Sequence, residues 1–255
     1  RRCSNACQSS ATGHGYGYKG GGHVRCRIDH NAVAVGYFAV ECAHENEFGV
    51  EIDHNHFDSC ISVPKSGPSA DPNTRGAEWT FWIHHNVLTD SYTVEGPRNH
   101  LRLSHNHIAI SRTGGRVYTH HGGTNHGPVW IDHNVIENVD RAVVWMNNGL
   151  AENITFAHNT VTCADAGDRT GKLFDSYTAE RLNGWVILNN VFRAPAAKPR
   201  QLYPDARGVP SKMRAAGNLF EHVTGPADGN FAGRAPGFAE DGARPWAFFR
   251  PAGKD

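Results

Sequence analysis

The sequence predicts an all-β chain folded as a right-handed parallel β-helix, a solenoid of about eight coils with an asparagine ladder. Three observations lead there. A His-Asn pair recurs between short apolar stretches, consecutive copies lie 20 to 31 residues apart, and abundant Gly (28) and Pro (13) suit a turn-rich β chain.

Seven copies align: Ile28-Asp29-His30-Asn31, Ile52-Asp53-His54-Asn55, Ile83-His84-His85-Asn86, Leu103-Ser104-His105-Asn106, Ile131-Asp132-His133-Asn134, Phe156-Ala157-His158-Asn159 and Ile187-Leu188-Asn189-Asn190. A weaker eighth is Ala215-Ala216-Gly217-Asn218. Each reads as strand, one-residue corner, strand. The strand before Asn alternates, as in Val129-Trp130-Ile131-Asp132, and a short apolar strand such as Val135-Ile136 follows. A tight corner favours a residue that tolerates the left-handed region, a role expected of Asn. Coils stack about 4.8 Å apart, so the corner amides can bond along the stack. The adjoining histidines His30, His54, His85, His105, His133 and His158 are expected to stack structurally, not to bind metal.

A third strand is expected about a dozen residues before each pair, at 38–41, 61–64, 92–95, 117–120, 143–146 and 173–176, with longer loops at 65–78, 163–172 and 193–212. The 255 residues then form one domain: an irregular segment over 1–22, coils over 23–222 and a tail over 223–255. The repeated hydrophobic-x-His-Asn-x-hydrophobic pattern resembles the pectate-lyase-like superfamily of parallel β-helices, across roughly residues 23 to 222. The tail Ala235-Pro236-Gly237-Phe238, followed by Trp246-Ala247-Phe248-Phe249-Arg250-Pro251, resembles the closing segment of such proteins. The superfamily includes polysaccharide lyases, glycoside hydrolases, uronate epimerases and phage tailspikes, so the resemblance implies a fold and leaves the activity open. It also implies a capping helix at the start, whereas residues 1–22 are rich in Gly and Ser.

Lys+Arg and Asp+Glu are both 25, so there is no basic excess to draw the whole chain to nucleic acid or an anionic membrane. No apolar run approaches the roughly 20 residues of a spanning helix. The opening Arg1-Arg2-Cys3-Ser4-Asn5 has no apolar signal-peptide core. Six cysteines with no zinc-type spacing leave a disulfide and a free-thiol reading equally open, and a secreted or periplasmic location is expected.

Aligning the third strands by their apolar positions puts Val40, Val63, Val94 and Thr119 inward, and Glu41, Pro64, Glu95 and His120 outward in one column. Tyr118 shares the parity of His120; Lys65, Arg98, His121, Asn147 and Asn148 follow in the adjoining turns. In the resembled superfamily, substrate usually lies along this sheet. A uronate lyase needs a cation to neutralise the substrate carboxylate and a base for the adjacent proton. Arg98, Arg116, Lys65 or a Ca²⁺ held by Glu95 and Glu41 are candidate neutralisers. His120 is the leading base, because imidazole titrates near neutrality, with Tyr118 or Lys65 behind it. Glu95, His121, Asn147 and Trp79 are candidate substrate contacts; other aromatics, including Trp82, Trp130 and Trp145, are expected mostly in packing roles. Tyr118-Thr119-His120-His121-Gly122 faintly resembles the Leu-Arg-His-Gly stretch of β-helix alginate and chondroitin lyases, with His120 where that pattern has its catalytic Arg. The expected function is β-elimination on an acidic polysaccharide. Alternatives are an inverting hydrolase using Glu41 and Glu95, roughly 9.6 Å apart by strand spacing, or a non-catalytic glycan-binding rod.

Overall fold

The structure, a computed structural model, describes residues 8–9, 15–20, 24–33, 37–42, 48–58, 60–62, 81–89, 92–96, 101–110, 116–120, 129–146, 154–164, 171–176, 184–203, 213–226, 229–232, 238–239 and 250–251. One coil shows the plan. Val129–Asp132 runs along a first face, and His133 and Asn134 turn the corner. Val135–Val139 follows along a second face, Asp140 and Arg141 turn again, and Ala142–Met146 completes a third. Among the described residues, equivalent strands of successive coils pair in parallel, giving sheets of eight, nine and eight strands, the last, on the third face, with one antiparallel edge strand. The chain is a parallel β-helix, and its second face counts nine rungs where about eight were expected.

All six expected third strands are present, at Tyr37–Cys42, Cys60–Ser62, Tyr92–Gly96, Arg116–His120, Ala142–Met146 and Phe174–Ser176. The ends differ from expectation. Gly15–Gly20, placed in the irregular segment, pairs in parallel with Tyr37–Cys42, and Gln8–Ser9 pairs antiparallel to it. Both add rungs to the third face, because backbone bonding needs no apolar repeat to announce it. At the other end the third face continues into the expected loop at 193–212. Leu173 N and Phe174 N donate to Gln201 O and Leu202 O at 2.9 and 2.8 Å, and Arg200–Gln201 pairs with Val223–Thr224. No helix occurs among the described residues.

The core fills from alternate positions. Phe81, Leu101, Val129 and Ile154 form one inward row of the first face. Ile52, Ile83, Leu103, Ile131 and Phe156 form the next, all exposed by 2% or less. Each such side chain contributes roughly 1.5–3 kcal/mol by leaving water.

The corner corrects one expectation. It takes two residues, and the left-handed one is the histidine rather than Asn. His30, His54, His85, His105, His133 and His158 have φ between 53° and 56°. Asn189 (53°) and Gly217 (67°) fill the same place in the later coils, which explains the degenerate copies: the place demands positive φ, which His, Asn and Gly tolerate better than most residues. The following Asn turns inward instead. Asn106 N and Nδ2 donate to Asn134 Oδ1 at 2.9 and 3.0 Å, and Asn106 Nδ2 also reaches Ile83 O and Ser104 O. The same ladder runs from Asn31 to Asn230, and Asn55, Asn86, Asn106, Asn134, Asn159, Asn190 and Asn218 are 2% exposed or less. Cys163 is buried; the side chains of the other five cysteines lie outside the described residues.

Candidate functional site

Backbone register dismantles the expected column on the third face. Ile61, Val94, Tyr118, Val144 and Phe174 share a row, and Tyr118 is fully buried within it. Thr119 therefore takes the opposite parity to the inward one expected. Two adjacent apolar residues, Val117 and Tyr118, left either alignment open, and both are fully buried. Glu95 stands opposite Thr119, in a row with Ser62, Trp145 and Asp175; His120 stands opposite Gly96 and Met146. Glu41 does not share that row either, because Ala39 occupies it through Ser62. The proposed Glu41–Glu95 pairing, as hydrolytic carboxylates or Ca²⁺ ligands, loses its shared column.

Tyr118 is unsuited as a base: burial pushes its phenol well above the ordinary range. Arg116 is only 3% exposed, with its guanidinium 3.6 Å from the centre of the Trp145 ring and Arg141 at 5.3 Å. Val117, Val143 and Leu173 are fully covered and Asp175 nearly so. Lys65, Trp79, Arg98, His121, Asn147 and Asn148 lie outside the described residues, as do the side chains of Glu41, Glu95 and His120.

Among the described residues, the first face presents an open row. Its outward row, three residues before each corner histidine, reads Arg27, Glu51, Trp82, Arg102, Trp130 and Thr155. Trp82 and Trp130 are 36% and 40% exposed, the exposed large apolar side chains among the described residues. They stand two rungs apart, about 9.6 Å by the strand spacing, with Arg102 between them. Trp82 Nε1 donates to Ser104 Oγ at 2.9 Å, and its ring centre lies 4.0 Å from that of His84. That anchoring holds the indole down on the sheet, over the next outward row.

The covered row beneath carries the charge. Asp53, His84, Ser104 and Asp132 are buried to within 6% exposure, although their parity is outward. Arg102 Nε and Nη2 donate to the two Asp132 oxygens at 3.1 and 2.8 Å, while His133 Nδ1 lies 2.9 Å from Asp132 Oδ2. A carboxylate only accepts, so His133 carries its proton on Nδ1 and turns a basic Nε2 outward. Burial pushes Asp132 up, but the Arg102 and His133 hydrogen bonds bring it below the usual carboxylate range.

The arrangement occurs twice. Arg27 donates to Asp53 at 2.8 and 2.5 Å, and His54 Nδ1 lies 2.6 Å from the same carboxylate. Asp53 is lowered to about 2, chiefly by the Arg27 hydrogen bonds. Glu51, Asp53 and His84 each bring a ligating atom within 4.8 Å of the others. Arg27 already pairs with Asp53 and His84 hydrogen-bonds Glu51, so both carboxylates have partners within the protein. Only the Arg102–Asp132–His133 copy has an exposed tryptophan on the rung of its arginine's neighbour to either side.

Beside this row, along the corner, the six histidine rings stack as expected. Their centres are 5.2, 5.2, 5.2, 4.9 and 4.9 Å apart in sequence, with interplanar angles of 21° or less. Sequence reasoning missed Trp82, Arg102 and Trp130 as a surface row. The signal was their constant spacing of three residues from the corner histidine, which gives all three the same parity. Compared with protein-family models, with curated proteins and with solved structures, the chain finds no match in any of the three.

Proposed function

We propose that this chain is an extracellular polysaccharide lyase, akin to the pectate-lyase-like superfamily, that binds a uronate-containing polysaccharide along the first face. The observation that carries this is the open row Trp82–Arg102–Trp130. Indole faces stack on the apolar faces of pyranose rings, and an extended chain laid along the axis meets both. Arg102 engages Asp132 through Nε and Nη2 only, which leaves the Nη1 edge of its fork to meet a uronate carboxylate. Elimination also needs a base, and His133 supports that role. Its Nδ1 proton is held by Asp132 and its ring is half-exposed. His133 replaces Tyr118 as the described candidate base.

A second, non-catalytic reading is favoured by the pairing of Arg27 with Asp53 and Arg102 with Asp132, which serves two buried carboxylates whatever the surface binds. Incubation with polygalacturonate, alginate and chondroitin separates the readings. Release of an unsaturated, ultraviolet-absorbing product supports the lyase. New reducing ends without that absorbance point to hydrolysis, and retention on glycan without either signal to a binding module.

A further inference from the structure

We propose that the six corner histidines form a proton-gated strip that grips the carboxylates of the polyuronate lying on the tryptophan row. This rests on the function proposed above and adds its control by pH. The strip runs parallel to the row, since each histidine follows its row residue by three positions in every coil. Its rings present their edges: the side chains of His30, His54 and His133 are 70%, 48% and 48% exposed. Their Nδ1 atoms face the sheet, toward Asp29 at 3.3 Å, Asp53 at 2.6 Å and Asp132 at 2.9 Å. His85 does the same toward His84 Nδ1 at 2.7 Å, and His84 Nε2 in turn reaches Glu51 at 2.9 Å. Imidazole geometry then sends every one of these Nε2 atoms outward.

Spacing decides what such a strip can hold. Two zinc–nitrogen bonds span at most about 4.2 Å, less than the 4.9–5.2 Å between ring centres, so a metal shared by parallel neighbours is a poor fit. An anion held by a single ring fits better. A pyranose of an extended chain advances by about one rung and successive carboxylates turn to different sides, so a polyuronate meets the strip at every second or third ring.

Among the described residues, the carboxylates nearest the strip lie on its Nδ1 side. From the first face, Asp53 and Asp132 are balanced by Arg27 and Arg102, Glu51 is bonded to His84, and Asp29 faces His30. From the second face, His56 is exposed and His107 pairs with Glu137 at 2.9 Å. Imidazolium rings stacked at 4.9–5.2 Å are a row of like charges, which an added polyanion at their outer edges offsets. Burial and neighbouring imidazoles hold His85 and His105 below the ordinary imidazole range, so bound carboxylates draw protons onto them. Binding and proton uptake are therefore linked.

The test is calorimetric titration with a galacturonate hexamer and a neutral glucan hexamer, at pH 5.5, 6.5 and 8, in two buffers of different ionisation enthalpy. The strip predicts a Kd for the acidic hexamer at least tenfold tighter at pH 5.5 than at pH 8, with measurable proton uptake, and no pH dependence for the neutral one. Replacing His85, His105 and His133 by Asn, the residue the fold itself uses at position 189, flattens that dependence; circular dichroism confirms that the variant is folded. Acidic-hexamer binding that is insensitive to pH, or takes up no protons, overturns the strip and leaves the polyuronate reading standing. Failure to bind the acidic hexamer at any pH overturns both.

Discussion

Gly217 sits one coil above Asn189, and a Cβ added to it would collide with the Asn189 Oδ1 atom. Gly217 also holds φ at 67°. The exposed Asn189 side chain can swing aside, so the backbone sets the cost of a substitution. Gly217→Ala should lose roughly 1–2 kcal/mol. Gly217→Asn should lose less, as Asn tolerates the left-handed region. Urea unfolding of the two variants checks the order; equal losses would mean that the collision, not φ, dominates.

The asparagine ladder predicts a steep dependence on position. Asn106→Ala removes the acceptor for Asn86 N and Nδ2, and the donor to Ile83 O and Ser104 O, all in the interior. Each buried group left without a partner costs about 1–3 kcal/mol, so the loss should be on the order of 3–5 kcal/mol. Asn31→Ala, at the exposed end, should cost under about 1 kcal/mol. Similar shifts in the urea midpoint for the two variants would show that the ladder is not continuous.

Solenoid, ladder and the place of the corner were legible because every coil repeats the same demand and seven copies average out local noise; which residue turns left-handed there was not. The third-face register was not. Val117 and Tyr118 allow two alignments one residue apart, and a slip of one residue exchanges the two sides of a strand. That slip put Tyr118 at the surface and His120 beside Glu95, whereas Tyr118 packs in the row of Val94 and Val144. On the first face the corner histidines act as register marks, so Trp82, Arg102 and Trp130 were recoverable from spacing. Their exposure was not, because it depends on which face the rest of the chain leaves open.

Stability should fall in two steps on acidification. His85 and His105 are held below the ordinary imidazole range, by burial first and neighbouring imidazoles second. The unfolded chain binds those protons more readily, so stability is lost as the pH drops through the region below about 6.5. Asp53 is shifted from 3.8 to about 2 by Arg27, so its contribution persists above 3.8 and is lost as the pH falls toward 2. Scanning calorimetry from pH 8 to pH 2 reads both steps, and His105→Asn should shrink only the first. A melting temperature unchanged between pH 7 and pH 5 would contradict the histidine contribution.

Trp130→Ala separates binding from folding more cleanly than Trp82→Ala. Trp82 caps His84 and bonds Ser104, two residues exposed by 6% and 0%, so its removal wets a buried polar row and should lower stability along with affinity. Trp130 is 40% exposed, comparable to Trp82. Losing one stacked indole should weaken glycan binding by roughly 1 kcal/mol, about fivefold in Kd, read by titration beside a melting curve. Arg102→Gln should behave differently again. It leaves the Asp132 carboxylate buried without its arginine, so that carboxyl rises toward or above its ordinary range and the protein is destabilised at neutral pH. Adding Asp132→Asn removes that unpaired charge. If the double variant recovers stability but not glycan binding, Arg102 serves the ligand as well as the fold; if both return, its part is structural.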